Sequence, residues 1–227
     1  MPPADPHAGA MYAEDGGALL NAPHLTVVDH PLAAHLLADL RAADTEPERF
    51  RFAARRLATV LVIEATRDLP VRSGTVATPL TSAPVRRIDG GVVAVPILRA
   101  GLGLLEAVTD LLPEVAVGYA GLERDEHTLQ PTSYYLKVPP LEGRRVLLLD
   151  PMLATGGSAA FACDVLAQRG ASAVQLVCVV AAPEGVRRLH EAHPDVRVVT
   201  AALDDGLNDV GYILPGLGDF GDRLFGT

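Results

Sequence analysis

The distribution of apolar residues in this chain predicts an α/β fold, a parallel doubly wound sheet of about five strands. Three observations carry that expectation. Short apolar runs recur near residues 92, 115, 146, 174 and 197, each too short for a helix and apolar enough to be buried on both faces. Apolar residues at helical spacing fill much of the sequence between them. Twice, a strand runs through a glycine-containing turn straight into a helix, which places a ligand loop at the strand's carboxyl end.

Taken in order, residues 1–22 are rich in Pro, Gly and Ala without periodicity and read as a disordered extension. Residues 23–227 then form a single domain. Leu25–Val28 is a short strand, and Pro31 suits the first turn of a helix running through Arg41. Thr45 with Glu48 three residues on has the form of a capping box. The helix it would open spans Arg49–Asp68, with Phe52, Leu57, Val60 and Leu61 at helical spacing. Glu64 lies near that apolar face and reads as a structural carboxylate. Val71–Arg87 alternates poorly and contains Pro79 and Pro84, so it is expected as extended loop with edge strands.

Val92–Pro96 is a fully apolar strand, followed by a turn holding Arg99, Gly101 and Gly103 and then a helix. An arginine in such a turn can grip a diphosphate with its planar fork; a surface salt bridge is the plainer alternative. Val115–Tyr119 is the next strand. The stretch GLERDEHTLQPTSYYLKVP then forms a long two-stranded excursion with its polar tip at Thr128–Ser133, between Arg124 on one arm and Tyr134, Tyr135 and Lys137 on the other. Such a hairpin suits a lid over a reactive site or an arm between subunits.

The stretch from Arg144 to Gly170 organises the rest. Val146–Leu149 is a buried strand, Asp150–Ser158 a loop with Gly156 and Gly157, and Ser158–Gln168 a helix stopped by Gly170. Free N–H groups at a helix N-terminus hold phosphate, and two glycines let the backbone come close to it. The loop lacks the Gly-Lys-Ser/Thr of a Walker A sequence and is not G-x-G-x-x-G. Asp150 would repel a bare phosphate but suits sugar hydroxyls, so the combination fits a ribose 5-phosphate. An ordinary strand–helix turn with Asp150 as a local cap is the other reading. Beyond it, Ala173–Val180 is a strand, Pro183 opens a helix through His190, and Val196–Thr200 is the last strand. His190 and His193 read as partners of helix-end carbonyls rather than metal ligands. The Gly- and Asp-rich end of the chain is expected as a rigid surface loop gathering Asp219 and free backbone amides.

Composition excludes some partners. The formal net charge is −9 and Lys137 is the only lysine, which opposes nucleic acid or an anionic membrane as ligand. Cys163 and Cys178 fall in apolar elements and no secretion signal precedes them, which points to a reduced, cytoplasmic protein.

These motifs together carry a resemblance. VVAVPILRAGLG, DPMLATGGS, VAAPEG and GYILPGLGDFGDRLFGT occur in the order found in the uracil phosphoribosyltransferase family, and the chain resembles that family from about His24 to Thr227. The resemblance implies a type I phosphoribosyltransferase fold with a hood from residues 203–227 and N-terminal elements. The implied reaction joins uracil to 5-phosphoribosyl 1-diphosphate (PRPP), giving UMP and diphosphate with Mg²⁺. By motif, Asp150, Pro151, Met152, Leu153, Ala154, Thr155, Gly156, Gly157 and Ser158 would hold ribose and 5-phosphate, and Arg99 with Arg124 the diphosphate. Ile213, Gly218, Asp219 and Phe220 would hold uracil, with Asp219 also reaching the diphosphate through Mg²⁺; Arg124, Asp150 and Asp219 would carry catalysis. Relatives of this type bring in GTP as a candidate effector, and the hairpin and apolar helices point to a homodimer or higher homo-oligomer. Phe220 departs from the resemblance, because the family usually has alanine there; a ring turned inward would narrow the base pocket.

Overall fold

The computed structural model describes residues 24–124 and 131–227. The expected extension at residues 1–22 lies outside them. The first elements are β1 (Leu25–Val27), α1 (Pro31–Arg41), α2 (Pro47–Ala65), β2 (Val71–Ala77), β3 (Ser82–Ile88), β4 (Val92–Leu98) and α3 (Leu102–Leu111). There follow β5 (Ala116–Val117), β6 (Tyr119–Arg124), β7 (Pro131–Lys137), β8 (Arg145–Leu149), β9 (Met152–Leu153) and α4 (Gly157–Ala167). The chain closes with β10 (Ala173–Ala181), α5 (Pro183–Ala192), β11 (Arg197–Leu203), β12 (Gly206–Leu207), β13 (Ile213–Leu214) and α6 (Phe220–Phe225).

The main sheet has the order β1-β11-β10-β8-β4-β6-β7 and is parallel up to β6, with the short β5 and β9 added beside β4 and β10. Each of the five expected strands is present, and only β7 runs antiparallel to its neighbour. Alternation along the strands makes two cores. In β8, Leu147 and Leu149 join the core under α1, α2, α3 and α6, while Val146 and Leu148 join the one under α4 and α5. Helices therefore cover both faces, as a parallel sheet of fully apolar strands requires.

Several local expectations change. Pro31 does open α1, and His30 caps it by accepting from the N–H of Leu32 at 3.0 Å. The capping box does not form. Thr45 donates its hydroxyl to the carbonyl of Asp39 at 2.6 Å, so Glu46 becomes the cap residue without a side-chain bond and Pro47 opens α2. That helix stops at Ala65 rather than Asp68, and the Asp68 carboxylate is taken by Arg145 and Arg197. The segment from Val71 forms two real strands that pair with each other, Val71 opposite Ile88 and Ala77 opposite Ser82, as a separate hairpin instead of edging the sheet.

The β6–β7 hairpin forms as expected, with Tyr119 opposite Lys137 and Arg124 opposite Pro131. Residues 125–130 of its tip lie outside the described residues. The chain's end is more regular than a loop: β12 pairs with β13, and α6 is capped by Asp219 at its start and by Gly226, at φ 73°, at its end. Among the described residues no helix is long and apolar enough to cross a membrane.

Candidate active site

The turn after β4 lies against the carboxyl end of its neighbour β8 because of one glycine. A Cβ on Gly101 would lie 2.3 Å from the carbonyl oxygen of Leu149 and 2.7 Å from that of Ile97, so only glycine lets the turn after β4 lie against β8. Gly103 has a different task, since its Cβ would meet the Phe220 ring at 2.8 Å. Neither glycine is spent on cradling a ligand. Both bring elements together.

The result is a cavity of about 330 Å³ lined by Arg99, Ala100, Asp150, Met152, Thr155 and Asp219 among others. In the loop and first helical turn beside it, among the described residues, the N–H groups of Thr155, Gly156, Gly157, Ser158 and Ala159 have no acceptor, and the N-terminus of α4 adds its dipole. That is an anion cradle. Gly156 sits at φ 75° and packs on α5, where its Cβ would fall 2.6 Å from the carbonyl oxygen of Gly185. Gly157 has ordinary room for a side chain, so the pair is not needed in the way the sequence implied.

Asp150 stands at the mouth of this loop, its edge on the cavity and its surroundings the apolar strand ends. Desolvation pushes its carboxyl up to about 7, and the N–H of Met152 offsets part of that. A carboxylate so poorly served by protein donors is suited to accept hydroxyl groups from a ligand. Arg99 lies across the cavity with a largely exposed guanidinium, 3.7 Å from Asp222 and over the Phe225 ring. The salt bridge expected as its plainer reading is therefore present but loose.

Asp219 reaches the same cavity and also caps α6, its Oδ1 accepting from the N–H of Asp222 at 2.9 Å. Among the described residues the N–H groups of Gly218, Asp219, Phe220 and Gly221 are without acceptors, as expected of this loop. The Phe220 ring is 1% exposed and packs edge-on against Phe50 at a centroid distance of 5.1 Å, in the core and off the cavity wall. Ile213 is buried in the same core, so it has only backbone to offer a ligand.

Of the residues expected from sequence, Arg99, Asp150, Met152, Leu153, Ala154, Thr155, Gly156, Ser158 and Asp219 line one cavity, while Pro151, Gly157, Ile213, Gly218 and Phe220 do not. Pro151 is turned toward β10, its carbonyl accepting from Val179 and Val180. The side chain of Arg124 lies outside the described part of the structure. Ile97, Leu98, Ala100, Leu122 and Ala159 also line the cavity and were missed, although all but Leu122 adjoin the two turns that the sequence singled out.

The family profile described as Uracil phosphoribosyltransferase matches residues 27–227. The chain belongs to that family. It is 51% identical over 205 residues to the uracil phosphoribosyltransferase of Thermus thermophilus, covering 89% of this chain and 99% of that one. It is 50% identical over 203 residues to that of Ligilactobacillus salivarius, covering 88% and 97%. Among solved structures, the AQ2163 protein from Aquifex aeolicus superposes with a TM-score of 0.84 at 39% identity, covering 88% of this chain and 97% of that one. The type I phosphoribosyltransferase fold expected from the motifs is thus the fold of the chain, and the uracil phosphoribosyltransferase family is a family of pentosyltransferases.

Proposed function

We propose that this protein transfers the phosphoribosyl group of PRPP to uracil, forming UMP and diphosphate in pyrimidine salvage. The observation that supports this most directly is a single cavity joining a phosphate cradle, the under-served Asp150 carboxylate, Arg99 and the Asp219 loop, in a chain half identical to uracil phosphoribosyltransferases.

In this reading residues 150–158 hold the ribose 5-phosphate. The N–H groups from Thr155 onward bond the phosphate, and Asp150, ionised, accepts from the ribose hydroxyls. Arg99 and Arg124 hold the diphosphate, whose negative charge grows as the anomeric bond breaks. Losing one such donor typically costs on the order of 10²–10³ in rate. The backbone of Ile213 and of Gly218–Phe220 meets the acceptor–donor–acceptor edge of uracil, and the Phe220 ring stays in the core. A backbone site of this kind leaves groups unpaired against cytosine and can reject it by roughly 10⁴.

Among the described residues no three His, Cys, Asp or Glu side chains gather into a metal site of their own. One or two carboxylates with ligand phosphates are what Mg²⁺ ordinarily uses, and Asp150 and Asp219 on one cavity fit that donor set. Bound with PRPP, Mg²⁺ would neutralise charge on the diphosphate. The protein then acts as a single domain over residues 23–227, its hood being 203–227 with the N-terminal elements. Two buried free thiols support a cytoplasmic setting, and the separate β2–β3 hairpin, with Val71, Leu80 and Ile88 exposed, supports a homodimer or larger homo-oligomer. GTP stays a candidate effector without an assigned site.

The test is UMP formation from labelled uracil, PRPP and Mg²⁺, with cytosine and hypoxanthine as controls. Turnover with uracil alone is expected. Turnover with cytosine at a comparable rate, or none with uracil despite measurable PRPP binding, would sink the proposal.

A further inference from the structure

We infer that Arg41 and Asp204 are positioning residues for base recognition, acting by locking the backbone of Gly216 at the foot of the base-reading loop. The inference rests on the assignment of residues 213–220 to uracil. Neither residue lines the cavity.

Asp204 follows β11 and its side chain is 3% exposed. It accepts from both terminal nitrogens of Arg41 and, through Oδ2, from the N–H of Gly216 at 3.0 Å. Arg41 Nη1 also donates to the carbonyl of the same Gly216 at 2.7 Å. One ion pair therefore holds both polar groups of one residue. Gly216 is at φ 61°, and a Cβ there would stand 2.1 Å from the carbonyl oxygen of Ile213, so the turn is closed as tightly as glycine permits.

The next residue is held in turn. Arg223 donates to the carbonyl of Leu217 at 2.7 Å and to the carbonyls of Leu40 and Ala42 at the end of α1. The loop is thus pinned at both polar groups of Gly216 and at the carbonyl of Leu217, and among the described residues the N–H groups from Leu217 to Gly221 are left without an acceptor. A base read by backbone alone has no side-chain rotamers to adjust, so its specificity depends on where the peptide groups are held. A bidentate arginine–carboxylate pair supplies that geometry better than it supplies net stability.

Steady-state kinetics on the full chain carrying Arg41→Met with Asp204→Leu tests this. The double variant removes both charges and leaves neither partner buried alone. KM for uracil is expected to rise by about tenfold or more, the scale on which displacing a positioned group by about 1 Å acts. KM for PRPP should stay within about twofold of wild type. A rise above about threefold confined to uracil supports the inference, whereas a smaller rise, or an equal rise for both substrates, overturns it. Should the double variant fail to show a cooperative melting transition, Asp204→Asn carries the same comparison with the same criteria. Failure of the wild-type chain to use uracil would instead remove the base-loop assignment, which is a separate result.

Discussion

Asp150 shows how one residue's surroundings set its chemistry. Its folded value of about 7 lies above its ordinary 3.8, so the native state holds the proton longer than the unfolded chain does. The free protein's stability from this group is full below about 4 and falls as pH rises toward 7. The ionised form accepts more strongly from ribose hydroxyls and through both oxygens, whereas the protonated form keeps one O–H donor, so PRPP binding favours loss of that proton. Affinity for PRPP is expected to rise with pH up to about 7 and then level, with a proton released on binding below it. Calorimetric titration at pH values either side of 7 measures this, and Asp150→Asn should remove that part of the dependence. A pH profile unchanged by the substitution would mean that Asp150 does not meet the sugar. Residues such as Asp150 and Thr155–Ser158 were legible in the sequence because their roles are local, set by a strand end and a helix start within ten positions. Arg41, Asp204 and Arg223 were not, because each gains its role from partners that only the folded chain supplies; Arg41 and Asp204 stand 163 residues apart.

At the scale of elements, strands were easy to read and caps were not. Fully apolar runs have one stable use in this fold, but the Thr45 hydroxyl could accept from an N–H of the next helix or donate to a carbonyl of the one before, and α1 ended close enough to win it. The α6 helix escaped notice because its six residues are too few for periodicity, though Asp219 before it and Gly226 after it were the signal. Packing between elements also shapes the phosphate loop. Gly185 in α5 lies beneath it, and a Cβ there would fall 2.3 Å from the carbonyl oxygen of Ala154 and 2.7 Å from that of Leu153. Both are backbone atoms, so the loop itself must move. Gly185→Ala is expected to lower stability by about 1–3 kcal/mol, as overpacking does. It should also weaken PRPP binding by about tenfold or more, since the displaced amides are the cradle. Denaturant unfolding and PRPP titration of the same variant check both parts; wild-type PRPP affinity would show that the loop tolerates the shift.

For the whole molecule, the two ends of the sheet divide the work. The cavity occupies the carboxyl ends of β4 and β8, whereas the amino ends are tied by charge. Arg145 at the start of β8 and Arg197 at the start of β11 both bond the Asp68 carboxylate beyond α2, and both also donate to Gln175 near the start of β10. Asp68 thus fastens the end of the long helix to β8 and β11, and the same two arginines hold Gln175 of β10. The two guanidinium groups, Arg145 first, hold its carboxyl down at about 2, below its ordinary 3.8, against the cost of partial burial. Because the folded value is depressed, the contribution is present above about 4 and is lost as pH falls through 2. The carboxylate is 45% exposed, so solvent screening limits the effect, and Asp68→Asn should cost about 1 kcal/mol at neutral pH. The difference between wild type and variant, read from denaturant midpoints, should close as pH falls toward 2 and shrink with added salt. Rate constants with uracil and PRPP should not change, because the network lies at the opposite end of the sheet from the cavity. A stability difference independent of pH would mean that the pair of arginines packs Asp68 rather than charging it. A change in KM for either substrate would mean that the two ends of the sheet are coupled.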